Sequence, residues 1–289
     1  MKQIEIFVIP NKHTVKENSI RQKDTVLESC TDSLQKQATQ FGIDAIVTLV
    51  DVENIPTTSD ASLVGILDEN MFIRSDYLAA VVSINNLHRD ATVLCGPICT
   101  RHKNNSDWFT KAIEENYKNY NIPVTEEMLL IDISDEEHNF PPINGCFFSG
   151  VVYNDMGGYT PVASPRGYLR NNKHFIKMMS TKGRIIHSSS LKSIYFISEA
   201  EFDVESISEY YYDLGYQDGI LISYKTDKER LAETWHRFIE SPEMFDNTSP
   251  RWLLSDNEET NYSYAEKLVL LKCKYQVGFF EGMLGRKII

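Results

Sequence analysis

A strand–helix–strand pattern at the N-terminus constrains the fold of this chain more than any other feature. IEIFVIP, Ile4 to Pro10, alternates and is β-branched, so it predicts a strand. The next stretch has apolar residues at helical spacing, and Gly42 is a typical stop for that helix. IDAIVTLVD, Ile43 to Asp51, is almost continuously apolar, which is typical of a strand buried on both faces. The three elements predict a βαβ unit of the kind that opens nucleotide-binding sheets.

The alternation continues along the first half of the chain and loosens after residue 140. A strand, ASLVGIL, precedes a helix with Ser75 as its N-cap, and the strand ATVLCGPI follows. Residues 140–167 are rich in Gly and Pro and predict loops that cross one face. We then predict a helix over GYLRNNKHFIKMMS, a partly helical aromatic segment that ends in a strand, GILISY, and two C-terminal helices. No internal repeat is evident. The fold class predicted is α/β, with an α/β region at 1–155 and a more helical region at 156–289.

The composition limits the cellular compartments and the partners that we expect for the protein. No apolar run is long enough to span a membrane, and the N-terminus lacks the features of a signal peptide. The five cysteines lack metal-finger spacing, which favours free thiols in a reducing compartment. We therefore expect a cytoplasmic protein, located in the host cytoplasm if it is viral. The net charge of −12 argues against nonspecific binding of nucleic acid by the surface as a whole.

The basic residues are concentrated in one window of this acidic chain. From Met156 to Ser198 there is no Asp or Glu, and the window carries a formal charge of +7. Four of its bases have helical spacing and would share one face of a helix. That face could be solvated near a diphosphate, or it could form a track for a polyanionic acceptor such as duplex DNA. The bases of the window are Arg166, Arg170, Lys173, Lys177, Lys182, Arg184 and Lys192.

Acidic residues stand at the ends of two predicted strands. Asp51 ends one strand, and Asp68 ends the next in SLVGILDENMFIRSDYL. In an open α/β sheet, ligands bind at the carboxyl ends of the strands, so both acids would point into one crevice. A divalent cation between carboxylates and a nucleotide diphosphate would explain them. The alternative is a solvated turn in which Asp and Asn supply turn chemistry.

The first 100 residues resemble family 2 glycosyltransferases with the GT-A fold. The resemblance covers residues 4–100 well and the remainder loosely. It includes the strand end FVIPN, the strand IVTLVDVEN that ends in Asp, and the Asp-x-Asp strand ILDENMFIRSDYL. It also includes a helix of the type L..C..SL..Q, matched by Leu27, Cys30, Ser33, Leu34 and Gln37.

The resemblance implies a GT-A-type, Rossmann-like sheet that binds a nucleotide-sugar, with UDP and inversion favoured. Pro10 would belong to the donor site, and Asp51 would hydrogen-bond the nucleotide base. Asp68 would hold Mn²⁺ or Mg²⁺ and the ribose. The second acid of Asp-x-Asp falls on Asn70, whose amide would be a weaker ligand, and Glu69 could compensate.

The resemblance also implies a general base and a third metal ligand in the second half. A Glu-Asp pair of the family falls on Gln217 and Asp218, so Asp218 would be the base, with burial among tyrosines raising its pKa. Asp203 would be structural, and Glu209 and Asp213 are alternatives. The competing interpretation is that Asp218 and Gly219 form a turn. His236 would be the metal ligand.

The function that the sequence predicts is transfer of a sugar from a nucleotide-sugar to an acceptor hydroxyl. The basic window favours hydroxymethylated bases of viral DNA, or sugars on them, as the acceptor. The acceptor-binding residues would be Arg166, Arg170, Lys173, Lys177 and Arg184. A surface-polysaccharide glycosyltransferase and a non-catalytic nucleotide-binding module are the two alternatives.

Overall fold

A computed structural model describes most of the N-terminal half of the chain and selected parts of the remainder. The residues described are 3–10, 29–102, 129–131, 141, 143–161, 163–164, 167–168, 173–197, 204–223 and 273–285. The chain divides into two compact units. One comprises Met1–Val162 with Arg170–Glu201, and the other comprises Ala163–Leu169 with Phe202–Ile289. Among the helices described, none has both the length and the hydropathy needed to cross a membrane.

The first unit contains strands, short helices and two 3-10 turns. Its helices are α1 (Cys30–Phe41), α2 (Tyr77–Leu87), α3 (Gly150–Asp155) and α4 (Lys173–Ser180). The 3-10 turns cover Val52–Asn54 and Ser189–Leu191. Its strands are β1 (Ile4–Ile9), β2 (Ala45–Leu49), β3 (Leu63–Asp68), β4 (Met71–Ile73), β5 (Ala91–Cys95), β6 (Ile98–His102), β7 (Leu129–Ile131), β8 (Cys146–Ser149), β11 (Arg184–His187) and β12 (Ser193–Ile197). A two-residue pair, β9 (Ala163–Ser164) and β10 (Gly167–Tyr168), belongs to the second unit.

A seven-stranded mixed sheet forms the centre of the first unit, in the order β2-β1-β3-β8-β5-β11-β7. β1 pairs in parallel with β2 and β3, and β11 pairs in parallel with β5. β8 runs antiparallel between β3 and β5, and β7 runs antiparallel at the edge. The carboxyl ends of β1, β2, β3, β5 and β11 therefore lie at one edge, which we call the carboxyl edge. The α/β prediction is confirmed, and β1, α1 and β2 form the predicted βαβ unit.

A smaller sheet continues from the carboxyl edge, in the order β4-β12-β6. Each of its strands follows a strand of the large sheet within a few residues: β4 follows β3, β6 follows β5 and β12 follows β11. β12 pairs antiparallel with β4 and parallel with β6. The chain segments that leave three parallel strands are therefore tied together by hydrogen bonds directly beyond the ends of those strands.

Helices cover both faces of the large sheet, which explains the apolar run of β3. The prediction that β2 is buried on both faces is wrong, because β2 lies at the edge of the sheet and its residues are half-buried or exposed, Leu49 by 55%. In β3, Val64 and Ile66 belong to one buried cluster, whereas Leu63 and Leu67 belong to the other. The first cluster includes Phe175 of α4, and the second includes residues of α1 and α2. Gly42 ends α1 with φ of 60°, the left-handed conformation that glycine adopts readily, as the sequence predicted.

Three predictions of secondary structure are wrong. The Gly- and Pro-rich segment was expected to form loops, yet β8 within it lies between β3 and β5 in the large sheet. The predicted helix over 167–180 is only partly present, because Gly167–Tyr168 form a strand and α4 begins at Lys173. The predicted strand GILISY does not form. Its residues through 223 continue a helix, α5 (Val204–Ser223), so Asp218 and Gly219 are helical and do not form a turn.

Among its described residues, the second unit contains two parallel helices in very close contact, α5 and α6 (273–284). A Cβ added at Gly215 or Gly219 would lie 1.9 or 2.0 Å from the carbonyl oxygen of Tyr275 or Phe279. Gly278 and Gly282 have the same relation, at 2.0 Å, to the carbonyl oxygens of Tyr212 and Tyr216. The four glycines come from a short repeat that the sequence analysis missed: YDLGYQDG in α5 and YQVGFFEG in α6.

Candidate functional site

Two of the predicted site residues stand on either side of β1 at the carboxyl edge. The backbone N–H of Val50 donates to the carbonyl of Val8, and that of Glu69 donates to the carbonyl of Ile9, each at 3.0 Å. Asp51 follows β2, Asp68 ends β3, and Pro10 follows β1 between them. The structure therefore brings the predicted donor-site residues Pro10, Asp51 and Asp68 to one edge of the sheet.

The segment Asp68–Asn70, called the acid turn from here on, is a tight turn whose ends are buried. Oδ1 of Asp68 accepts a hydrogen bond from the backbone N–H of Asn70 at 2.9 Å. This bond is the turn chemistry that the alternative interpretation expected. The side chains are not solvated, however, because Asp68 is 1% exposed and Asn70 is 4% exposed. Burial of a carboxylate is costly unless polar groups or charges compensate it.

The middle acid of the turn points toward α1. Oε2 of Glu69 accepts a hydrogen bond from the hydroxyl of Thr31 at 2.7 Å. Cys30, the first residue of α1, is buried, and burial together with the charges of Glu69 and Asp68 raises the pKa of its thiol well above the usual value. The first turn of α1 therefore packs against the acid turn.

Other side chains near the carboxyl edge contain buried polar atoms that have no hydrogen-bond partner within the described part of the chain. They are Nδ2 of Asn70, Oδ1 of Asn144 and both ring nitrogens of His187. Asn144 lies at this edge because Gly145, the next residue, donates to the carbonyl of Ile66. Buried polar atoms are normally paired, so three such side chains along one edge indicate a ligand that supplies their partners.

His187 was missed by the sequence analysis. It ends β11, pairs in register with Cys95 at the end of β5, and is fully buried. Burial lowers its pKa from 6.5 to about 4, so the imidazole is neutral at physiological pH. The rule that drew attention to Asp51 and Asp68, polar residues at parallel strand ends, would also have found His187 if RIIH had been recognised as a strand.

The acid turn offers part of the ligand set that a divalent cation needs. In the ranges that the structure covers, no group of three His, Cys, Asp or Glu side chains could hold a metal ion. Asp68 and Asn70 provide a carboxylate and an amide side by side. That set fits Mg²⁺ or Mn²⁺ if phosphate oxygens and water supply the other ligands. His236, the predicted third ligand, lies outside the described residues.

Asp218, the predicted general base, lies in α5, and its side chain contacts α6. Its Oδ2 accepts a hydrogen bond from the hydroxyl of Tyr275 at 2.7 Å. Two of the tyrosines expected around it are buried, Tyr212 and Tyr216, and burial raises the pKa of Tyr216. Of the two alternatives, Glu209 is exposed and Asp213 is half-buried, both in α5. Asp203 lies outside the described residues.

The predicted acceptor track is only partly described. Arg166 and Arg170 lie outside the described residues, and Lys173 and Lys177 lie four positions apart in α4. Because Gly167–Tyr168 form a strand between Arg166 and α4, the four bases cannot share a single continuous helix. Arg184 forms an exposed ion pair with Asp90 at 2.9 Å, and this contact lowers the pKa of Asp90.

Comparisons with known proteins give structural likeness only. No protein-family model matches the sequence, and no curated protein matches it. TarS 1–349 from S. aureus in complex with UDP-GlcNAc is 12% identical, with a TM-score of 0.36, and the match covers 100% of this chain and 93% of the TarS chain. The same TarS fragment alone is 12% identical, with a TM-score of 0.39, and the match covers 99% of this chain and 91% of the TarS chain. For the TarS complex with UDP, the identity is 11%, the TM-score is 0.38, and the match covers 100% of this chain and 93% of the TarS chain. Such values are too low to assign an activity to this chain.

Proposed function

We propose that the protein is a glycosyltransferase that binds a nucleotide-sugar, most simply a UDP-sugar, at the carboxyl edge. One observation carries the proposal: a buried carboxylate, Asp68, shares this edge with polar atoms of Asn70, Asn144 and His187 that have no hydrogen-bond partner among the described residues. Binding crevices of open α/β sheets lie at such an edge. The resemblance of residues 4–100 to GT-A glycosyltransferases supplies the class of ligand.

The residues of the carboxyl edge have distinct roles in this proposal. Exposed Asp51 hydrogen-bonds the nucleotide base, while Pro10 shapes the end of β1 between the two acids. Asp68 would hold Mn²⁺ or Mg²⁺, with Asn70 as a neutral second ligand. A bound cation would supply Lewis-acid stabilisation of the leaving diphosphate. Because the pair carries only one formal charge, we expect weak binding of the cation in the absence of nucleotide.

The chemical step needs a base for the acceptor hydroxyl, and Asp218 is the candidate. The carboxylate takes the hydroxyl proton as the oxygen forms a bond to the anomeric carbon. The bond from that carbon to the diphosphate oxygen breaks, and the electron pair leaves with the nucleotide. Attack from the face opposite the leaving group would invert the anomeric centre.

For the acceptor we propose a polyanion, with hydroxymethylated viral DNA as the first to test. The support is the acid-free window from Met156 to Ser198 and its charge of +7. Binding of a modified duplex should weaken steeply as salt rises, because neutralised phosphates release counterions. Affinity that does not change with salt would contradict the nucleic-acid proposal. Tight binding of a phosphate-containing polysaccharide instead would favour the surface-polysaccharide alternative.

Donor hydrolysis tests the enzymatic proposal directly. Purified protein is incubated with UDP-sugars with and without Mn²⁺, and release of UDP is measured. We expect slow hydrolysis that Mn²⁺ stimulates and that Asp68→Asn abolishes. The matched control is Asp60→Asn, because Asp60 is an exposed acid of the same unit. Binding of UDP without any hydrolysis would favour the non-catalytic module, and equal activity of both variants would exclude Asp68 from the site.

A further inference from the structure

The acid turn is held from three directions, and one of them is a side chain of another element. Inside the turn, the N–H of Asn70 donates to Asp68 at 2.9 Å. On the side of β1, the N–H of Glu69 donates to the carbonyl of Ile9 at 3.0 Å. On the side of α1, the hydroxyl of Thr31 donates to Oε2 of Glu69 at 2.7 Å, across 38 positions of sequence.

The first turn of α1 is well placed to act as a fixed support. Ser29 caps the helix by accepting a hydrogen bond from the N–H of Asp32 at 3.1 Å. Cys30 and Leu34 anchor the helix in the apolar cluster beneath the sheet. A hydrogen bond from this turn to the carboxylate of Glu69 is charge-assisted, and such bonds are stronger than those between neutral groups.

Farther along α1, a second bond network holds the chain that leaves the acid turn. Nε2 of Gln37 donates to the carbonyl of Arg74 at 2.7 Å. Oε1 of Gln37 accepts from the N–H of Leu78 at 3.0 Å, so it caps the first turn of α2. Gln37 is 2% exposed, which leaves little water to replace these bonds. Helix α1 therefore contacts both the acid turn and the start of α2.

We propose that Thr31 and Glu69 are positioning residues of the donor site. Their hydrogen bond fixes the acid turn, so that Asp68 and Asn70 keep the geometry that a nucleotide diphosphate requires. Glu69 is thus a tether to α1 and does not replace the missing second acid as a metal ligand. Side chains that contact a ligand bind it best when supporting hydrogen bonds hold those side chains in place. This inference rests on the proposed function.

Isothermal titration of UDP against variants at position 31 tests the inference, with and without Mn²⁺. Thr31→Val keeps the shape and removes the hydroxyl, and we expect UDP affinity to fall about tenfold. Thr31→Ser restores the hydroxyl and should return affinity to about the wild-type value. The matched control is Thr39→Val, because the hydroxyl of Thr39 donates to the carbonyl of Gln35 within the same helix, at 3.1 Å.

A double-mutant cycle with Glu69→Ala separates positioning from general loss of stability. If the two residues act through one bond, Thr31→Val causes no further loss of UDP affinity in the Glu69→Ala background. Thermal unfolding of each variant shows whether it is folded at the titration temperature. Wild-type affinity in folded Thr31→Val, a failure of Thr31→Ser to rescue, or additive losses in the cycle would overturn the inference. A wild-type protein that does not bind UDP would instead overturn the proposed function, and the inference with it.

Discussion

The hydroxyl of Tyr275 donates a hydrogen bond of 2.7 Å to the carboxylate of Asp218, from one helix of the second unit to the other. The reciprocal bond joins Tyr212 of α5 to Glu281 of α6. Asp218 and Glu281 occupy the same position of the repeat YDLGYQDG and YQVGFFEG. This equivalence gives the proposed base an internal control, because only Asp218 was assigned a chemical role.

Neutral variants of these two acids should therefore differ in their effects. Asp218→Asn removes the proposed base, and we expect transferase turnover to fall at least about 100-fold while UDP affinity stays unchanged. Glu281→Gln alters a buried hydrogen bond to Tyr212 and should lower the free energy of unfolding without a comparable loss of turnover. Turnover and unfolding are measured on both variants. Equal turnover in the two would assign Asp218 a structural role only.

Alanine at the helix crossing should destabilise the second unit, although alanine normally favours a helix. At an exposed position inside a helix, Gly→Ala stabilises the folded protein by about 1 kcal/mol. The Cβ of Gly278→Ala would lie 2.0 Å from the carbonyl oxygen of Tyr212, so the helices must separate. We expect the free energy of unfolding, measured by chemical denaturation, to fall by about 1–3 kcal/mol. Glu209→Ala, at an exposed position of α5, should change stability by less than about 0.5 kcal/mol. A stabilised Gly278→Ala would contradict the close packing.

The buried imidazole of His187 should make stability depend on pH. Its pKa is about 4 in the folded protein and 6.5 without burial, so the unfolded chain binds a proton over this range and the folded protein does not. The free energy of unfolding should therefore fall as pH drops from 6.5 to 4, by up to about 3 kcal/mol from this group.

Replacing His187 with leucine isolates that contribution. The difference in unfolding free energy between wild type and His187→Leu is measured from pH 7.5, where histidine is neutral in both states, down to pH 4.5. We expect the difference to shift in favour of the variant as the pH falls. A difference that stays constant over this range would show that His187 titrates normally in the folded protein.

The cysteines should react with a maleimide at two distinct rates. Cys30, Cys95 and Cys146 are buried, whereas Cys99 and Cys273 are partly exposed. Burial raises the pKa of the Cys30 and Cys146 thiols, so little reactive thiolate forms. Mass spectrometry of the labelled protein should show Cys99 and Cys273 modified first and the other three only on unfolding. Early modification of Cys146 would contradict its central place in the sheet.

Local sequence patterns predicted the βαβ unit and the acid turn. They did not predict the hydrogen-bond partners that lie far away in the sequence. The period of the apolar residues and the glycine at position 42 were sufficient for β1, α1 and β2. Ser75 was expected to cap α2, yet the first turn is capped by Gln37 of α1. A side chain 41 positions away cannot be found from local spacing.

The errors in the second half have a common physical cause, which is that tertiary contacts outweigh local propensity. The Gly- and Pro-rich composition around β8 suggested loops, but Gly65 of β3 makes room for the ring of Phe147, 2.6 Å from where a Cβ would be. Asp-Gly at 218–219 suggested a turn, but the glycine allows α6 to approach. Gly219 therefore permits close packing of α6 and does not break α5.

The central claim is that the nucleotide binds at the carboxyl edge. A structure of crystals of the protein soaked with UDP and Mn²⁺ tests this claim most directly. The account predicts uracil beside Asp51 and the diphosphate at the acid turn, with the cation bound to Asp68. UDP bound elsewhere on the protein, with the carboxyl edge occupied only by water, would contradict it.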